Sequence, residues 1–393
     1  MDLKRLAKTY SPTRVMGALR RRGSAYLRKL QYHPGRTKTL ENAVLFESHR
    51  GSMVGCNPLD IFNELKQSHP ELTFYWAVGK SVEAPEGSVA VRFGSGPYLR
   101  ALASSKYLVN NTNFPWFFRK VPGQVYLQTW HGTPLKRLAR DITTNYLTKS
   151  YLDTMDREAS YWDYLITPNA FCTEILPRAF GFQGTSLETG YPRNDRLSTA
   201  TAKDRQRIRE SLGVKDPSVT LVMYAPTWRD FKRTATGKWD TVNFMSPNIE
   251  LPEGFRMMFR GHSNTIDAHS EKVAGNAIDV TTYPDVTDLY IAADVLITDY
   301  SSVMFDYTVT GKPILFLAPD LERYRAERGF YFDFEAEAPG PIVDTDRDVI
   351  SSLLKLDSIA KAYQKKYRAW QNKFNALEDG KAAKRVVSKV WGQ

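Results

Sequence analysis

Residues 294–311 read Asp-Val-Leu-Ile-Thr-Asp-Tyr-Ser-Ser-Val-Met-Phe-Asp-Tyr-Thr-Val-Thr-Gly. Val295, Leu296 and Ile297 form an apolar run without polar alternation, the pattern of a strand buried on both faces. Thr298 and Asp299 end it. Ser301 and Ser302 then stand where a helix through Val303, Phe305 and Asp306 should begin. A strand running directly into a serine-capped helix leaves free backbone N–H groups and the positive end of a helix dipole at the sheet's carboxyl edge. That is a place for a phosphate. A lone Ser-Ser would be an ordinary helix cap; the flanking Asp299 and Asp306, with two histidine motifs upstream, favour a ligand site.

Outward from this stretch the same alternation fills the chain. Apolar strand signals fall at 43–46, 72–78, 89–93, 107–110, 125–130 and 163–168, then again at 219–224, 255–259, 278–280 and 313–317. Strand–helix alternation at this spacing predicts parallel βαβ units. The 393 residues suffice for two ordinary domains. The turn-rich 190–195 and the polar stretch 198–210 set the boundary, giving α/β domains at 41–197 and 198–393. From Val349 onward the chain reads as polar helix that could cross back onto the first domain.

Each domain offers polar groups at strand carboxyl ends, where ligands sit in open α/β sheets. Gln128-Thr129-Trp130 runs into His131-Gly132-Thr133-Pro134, with Thr133 and Pro134 reading as N-cap and first residue of a helix. His131 is then expected beside a helix N-terminus, whose dipole favours the neutral imidazole that can accept a proton. Gly132 leaves the backbone open. In the second half the corresponding junctions hold Thr227 and Arg229, Arg260 and His262, and Asp299, Ser301 and Ser302, with Asp306 a turn further on. Two such domains facing across a cleft suit group transfer from a nucleotide to an acceptor. Arg229, Arg260 and His262 would neutralise a diphosphate, and Asp306 would accept from ribose hydroxyls.

Other chemistries are excluded by pattern. No Gly-x-Gly-x-x-Gly follows a strand, so a dinucleotide is not expected. Asp344-Thr345-Asp346 matches a metal-chelating Asp-x-Asp but lies late, in a proline-flanked loop; no metal and no cofactor are expected. Cys56 and Cys172 fit no disulfide or metal spacing, and neither a membrane span nor a secretory leader is visible, so a reducing cytoplasm is expected.

The net charge of +11 is concentrated at one end. Residues 1–40 contain eleven Lys/Arg against Asp2 alone, so this arm carries +10 and the remainder +1. Val15, Leu19, Tyr26 and Leu30 recur at helical spacing among these cations. The arm therefore reads as an amphipathic helix on an anionic membrane surface. No zinc finger or aromatic RNA module supports nucleic acid as a partner.

Taken together, WHGTPLK (130–136), TPN (167–169), GYPRND (190–195), YAPTWRD (224–230), RGH (260–262), DVLITDYSSVMFDY (294–307) and RGFYFDFE with PGP (328–341) resemble the CDP-glycerol glycerophosphotransferase family, which builds teichoic acids. The resemblance spans residues 42–345 in the family's motif order. Ser263, where proline is common, and His49, where an aromatic is common, depart from it. It implies a GT-B-type fold of two facing Rossmann-like domains, the first holding the acceptor and the second CDP-glycerol. It also implies two functional histidines at His131 and His262. Glycerol phosphate would pass to a hydroxyl of a lipid-linked (polyprenyl diphosphate) acceptor with release of CMP, at the cytoplasmic face of the membrane. His131 would be the base; His262, Arg260 and the Ser301–Ser302 junction would stabilise charge. Gly132, Thr133, Thr227, Arg229, Asp299 and Asp306 complete the expected substrate-binding set. CDP-ribitol as donor, a nucleotide-sugar glycosyltransferase of the same fold, and a non-catalytic adaptor are the alternatives. The chain is expected to be little more than the catalytic module.

Overall fold

A computed structural model of the protein describes residues 23, 26–32, 39–143, 149–227, 229–233, 239–240, 244–246, 249–261 and 277–392. The first domain is built on β1 (Glu41–Glu47), β2 (Thr73–Val78), β3 (Val89–Arg92), β4 (Ser105–Asn110), β5 (Val125–Gln128), β6 (Tyr164–Thr167) and β7 (Thr185–Glu188). All pair in parallel, in the order β3-β2-β1-β4-β5-β6-β7. In the second domain β8 (Thr220–Ala225), β11 (Phe255–Phe259), β12 (Ile278–Asp279), β13 (Val295–Thr298), β14 (Ile314–Leu317) and β15 (Ile342–Val343) form a parallel sheet ordered β12-β11-β8-β13-β14-β15. A short antiparallel pair, β9 (Arg229–Arg233) with β10 (Trp239–Asp240), stands beside it. The molecule is thus α/β, with two Rossmann-like sheets in the GT-B manner.

The expected central strand is β13, and each of its four residues is buried, as a strand covered on both faces requires. Burying a Val, Leu or Ile side chain contributes roughly 1.5–3 kcal/mol. The following helix is shorter than the sequence pattern indicated. It spans only Val303–Tyr307 before a 3-10 turn at Thr308–Thr310, and Ser302 makes no side-chain cap.

Strand order reverses between β1 and β4 in the first sheet and between β8 and β13 in the second. At such switch points the outgoing loops diverge and open a crevice. Glu47–His49 and Asn110–Asn111 flank the first crevice; Thr227 and Asp299 flank the second.

The carboxyl-terminal helices tie the domains together. Leu356–Phe374 packs Trp370 and Phe374 into the second core beside Phe305, and the Phe374 carbonyl accepts from Asn169 of the first domain at 2.8 Å. Ala382–Val390 returns to the first domain, burying Val386 and Val387 with Val44, Phe46 and Ile61. Asp195 caps it, accepting from Ala382 N and Ala383 N at 2.8 and 2.9 Å. Within the basic arm Tyr32 is buried against Phe117 and Phe118, and its hydroxyl donates to the Arg119 carbonyl at 2.8 Å. The body therefore begins before residue 41.

Candidate active site

The first switch point is organised around Asn111. Its Oδ1 accepts from His49 N at 2.9 Å, and its carbonyl lies 2.7 Å from His131 Nδ1. A carbonyl can only accept, so Nδ1 carries the proton and Nε2 keeps its lone pair. His131 follows Trp130, which sits in the left-handed region at φ 50. The rings of Trp130 and His49 lie 4.3 and 5.5 Å from the His131 ring, centroid to centroid. Asn57 holds the turn from the other side, donating to the carbonyls of Thr129 and Trp130 at 3.2 Å each.

Thr133 does not begin a helix. Residues 131–138 form no helix and bend at Leu135, and Lys136 bridges to Phe330 of the second domain. The Thr133 side chain is buried, and its hydroxyl lies 3.7 Å from Cys172 Sγ, so it is consumed in packing rather than capping. The neutrality of His131 therefore has a different origin from the expected dipole. Burial, then the neighbouring His49, then Arg193 push its pKa down to about 3, against the opposing Asn111 hydrogen bond. His49 is held down to about 4 by burial and Arg193.

The two domains meet at Gly132. A Cβ there would lie 2.8 Å from Ser302 Oγ and 3.0 Å from Ser302 Cβ, so only glycine allows this approach. His131, Gly132 and the Ser301–Ser302 junction are thereby brought together, although their motifs are 170 residues apart in the chain.

The other predicted residues of the second domain stand differently. Arg229 is fully buried. It donates to Asp299 at 2.8 Å, to the Thr227 carbonyl at 2.6 Å and to Asp320 at 2.8 and 3.0 Å. Its guanidinium lies 4.9 Å from the Tyr300 ring centroid. Asp299 also accepts from Thr227 N at 2.9 Å and Tyr300 N at 2.6 Å. Arg260 donates to the Val280 and Tyr283 carbonyls at 3.0 Å each, and burial lowers its pKa. Asp306 is buried and takes both oxygens to Arg193 at 2.7 and 3.0 Å, with Asn194 at 3.1 Å. Thr227 Oγ1 is buried without a partner among the described residues. His262 lies outside the described residues. Asp344-Thr345-Asp346 leads into the helix Asp346–Leu353, with Thr345 as its cap.

Several residues at the cleft were not singled out by the motif reading. Arg193 joins the two halves, since its N–H donates to Asn57 Oδ1 at 3.2 Å while its guanidinium holds Asp306. Its signal was present in GYPRND, where adjacent Arg193, Asn194 and Asp195 all prove to be contact residues. Asn57, Asn111 and Asp320 carried no such signal.

This geometry accords with what the chain resembles. The family model described as CDP-Glycerol:Poly(glycerophosphate) glycerophosphotransferase matches residues 31–392. The chain belongs to that family. It is 39% identical over 362 residues to the teichoic acid poly(glycerol phosphate) polymerase of Bacillus subtilis (strain 168), covering 88% of this chain and 48% of that protein. It is 36% identical over 371 residues to the teichoic acid glycerol-phosphate transferase of Staphylococcus aureus (strain NCTC 8325 / PS 47), covering 89% and 93%. The chain thus spans about half the length of the first relative and nearly all of the second. Among solved structures, the wall teichoic acid polymerase TagF superposes with a TM-score of 0.82 at 30% identity, over 100% of this chain and 98% of that one. A TagF variant with one histidine changed to asparagine has been solved after a soak with CDPG.

Proposed function

We propose that this protein transfers glycerol phosphate from CDP-glycerol to a hydroxyl of a lipid-linked acceptor in teichoic acid synthesis, releasing CMP. The observation that carries the reading is the His131 tautomer. With Nδ1–H committed to the Asn111 carbonyl at 2.7 Å, Nε2 is the basic atom at the cleft. The acceptor hydroxyl attacks the glycerol-bearing phosphorus, its proton passes to Nε2, and the bond to the CMP phosphate breaks. General-base assistance of this kind contributes typically about 10²–10⁴-fold. A pKa depressed by burial and by cationic neighbours rises again when an anionic donor enters, so the base gains strength as the substrate arrives. On the second domain, Ser301, Ser302, the Thr227 hydroxyl and Arg260, which donates only to backbone carbonyls, are among the described groups at the crevice that no ion pair engages. His262, from its family motif, is assigned to stabilising the departing charge.

The chain's attachment is read as peripheral, on the cytoplasmic face of the membrane. Among the described residues no helix is long and apolar enough to cross a membrane, and the cationic residues 1–40 supply electrostatic adhesion. Incubation with CDP-glycerol, CDP-ribitol and UDP-sugars on a lipid-linked acceptor, following nucleotide release, tests the assignment. CMP release with CDP-glycerol is expected; preferential UDP release would overturn it.

A further inference from the structure

A cavity of about 250 Å³ opens beside this site, at the carboxyl edge of the first sheet. Arg28, Arg50 and Arg157 line it, together with Asn113, Phe93, Trp116 and neighbours, and among the described residues no carboxylate belongs to the lining. Arg157 pairs with Glu158 at 3.0 Å, yet its Nε is buried without a partner among the described residues. Among the described residues Arg28 and Arg50 make no ion pair. The guanidinium of Arg28 lies over Gly94, where a Cβ would come within 2.9 Å of its central carbon.

Arg50 is aimed by strained backbone. His49, Arg50 and Gly51 are consecutive left-handed residues, at φ 45, 58 and 74. Non-glycine residues there cost on the order of 1–3 kcal/mol each and persist where the surroundings impose them. Here Asn111 Oδ1 holds the His49 N–H, and the Gly51 carbonyl accepts from Gly79 N at 2.7 Å. Two short paths connect the cavity to the base. Arg50 adjoins His49, whose ring is 5.5 Å from that of His131, and Asn113 lies two residues beyond the carbonyl that orients His131.

We propose that this cavity is an acceptor subsite for phosphate. Arg50, Arg157 and Arg28 hold the phosphodiester that immediately precedes the accepting hydroxyl. The enzyme then prefers acceptors already ending in a glycerol phosphate over acceptors ending in an uncharged sugar. This inference rests on the glycerophosphotransfer reading above. Guanidinium forks match phosphate oxygens bidentately, and the aromatic walls lower the local dielectric and strengthen the attraction. A phosphodiester one unit back from the hydroxyl lies a few ångströms from it, so its anion has to be met close to the base, and Arg50 directly follows His49 in the chain. The diphosphate of a lipid carrier recedes with each unit added, so a fixed cavity beside the base does not keep meeting it.

The test uses the full chain and two readouts. Calorimetry without donor measures binding of a soluble trimer of glycerol phosphate. The wild type should bind it, and Arg50→Gln and Arg28→Gln should each weaken it about tenfold, with Arg50→Lys milder. Turnover at saturating CDP-glycerol is then compared on lipid-linked acceptors ending in a sugar or in one glycerol phosphate. The glutamine variants should raise KM for the phosphate-ended acceptor by the same factor, leaving KM for CDP-glycerol and for the sugar-ended acceptor unchanged. Equal losses on both acceptors, or a trimer that does not bind wild type, would overturn the subsite. Displacement of the trimer by an equal concentration of a short prenyl diphosphate would also overturn it, assigning the cavity to the lipid end. Because trimer binding needs no turnover, a bound trimer without CMP release would sink the transfer reading and leave the subsite standing.

Discussion

At the carboxyl edge of the first sheet, among the described residues, His131 Nε2 has no hydrogen-bond partner, and Arg28 and Arg50 make no ion pair. At the corresponding edge of the second sheet, Arg229, Asp299 and Asp306 are closed into buried ion pairs. Both sets occupy strand ends in the positions that sequence motifs mark, yet they are in opposite physical states. A charged group that is buried and fully paired is already satisfied, and a ligand must break a bond to use it. A group left with a free lone pair or unpaired guanidinium gains by meeting one. On the proposed reading, the paired Arg229, Asp299 and Asp306 fix the shape of their crevice, while the open groups of the first edge are free to meet a ligand.

The sharpest way to break this contrast is at His131. His131→Ala should lower CMP release by about 10²–10⁴-fold while calorimetry shows unchanged affinity for CDP-glycerol. Loss of donor affinity instead would mean that His131 holds the nucleotide, and the division between the two edges would collapse. The buried pairs should fail in a different currency. Arg229→Met strands Asp299 and Asp320, and Arg193→Met strands Asp306. Each should cost about 3–5 kcal/mol of folding stability, read as a lower denaturation midpoint. An Arg229→Met protein that unfolds like wild type but no longer binds CDP-glycerol would make Arg229 a ligand after all.

The seam between the edges is testable at Gly132. Gly132→Ala must move Ser302, whose Oγ would lie 2.8 Å from the new methyl. Displacing the base relative to the donor side by a fraction of an ångström to 1 Å should lower kcat by up to about 100-fold. Ser302→Gly in the same chain should restore much of the loss if contact is the cause. Failure of that rescue would place the damage in the Gly132 backbone itself.

The interior strands were legible because Val295–Ile297 and Leu221–Tyr224 are apolar on both faces. Strand β7 was not, because Thr185–Glu188 is an edge strand with polar residues facing water. The helix start at Thr133-Pro134 was legible and did not form, since tertiary packing against Cys172 outweighed local capping preference. Cleft residues at motif centres were visible as types in the right places. Their states were not, because the partners of Arg229 and Asp306 lie 91 and 113 residues away. Nothing local distinguishes a paired arginine from an open one.

A smaller effect comes from buried groups behind the first edge. Burial pushes Glu47 up to about 8 and Glu158 up to about 7. In the unfolded chain these carboxyls release their protons near 4.5, so their contribution to stability is whole below that pH and is lost as pH rises through 7 and 8. His131 and His49 act oppositely. Their folded pKa values of about 3 and 4 lie below the unfolded 6.5, so their contribution is whole above 6.5 and is lost as pH falls towards 3. Between pH 6.5 and 8 the carboxyl trend stands without the histidines, and the unfolding midpoint should fall. Glu47→Gln should flatten that slope by at most about 1.4 kcal/mol per pH unit. An unchanged slope would mean that Glu47 is ionised beneath the sheet edge.

The smallest effect on the cleft itself should come from the arm, and here the contrast between the two edges predicts where nothing happens. Residues 1–22 hold Lys4, Arg5, Lys8, Arg14 and Arg20–Arg22, while Tyr32 further along belongs to the first core. A chain starting at Gly23 keeps Tyr32 and the hydrogen bond to Arg119, so it should fold and bind CDP-glycerol as the full chain does. It gives up seven cations, each worth about 1 kcal/mol near an anionic surface, and should sediment poorly with phosphatidylglycerol vesicles. Raising the salt should release the full chain from the same vesicles, because surface attraction is screened within about 10 Å at 0.1 M. Turnover should drop on lipid-linked acceptors in vesicles and stay unchanged on a soluble glycerol phosphate oligomer. An equal drop on both would show that residues 1–22 serve the cleft directly, and the separation of membrane attachment from chemistry would fail.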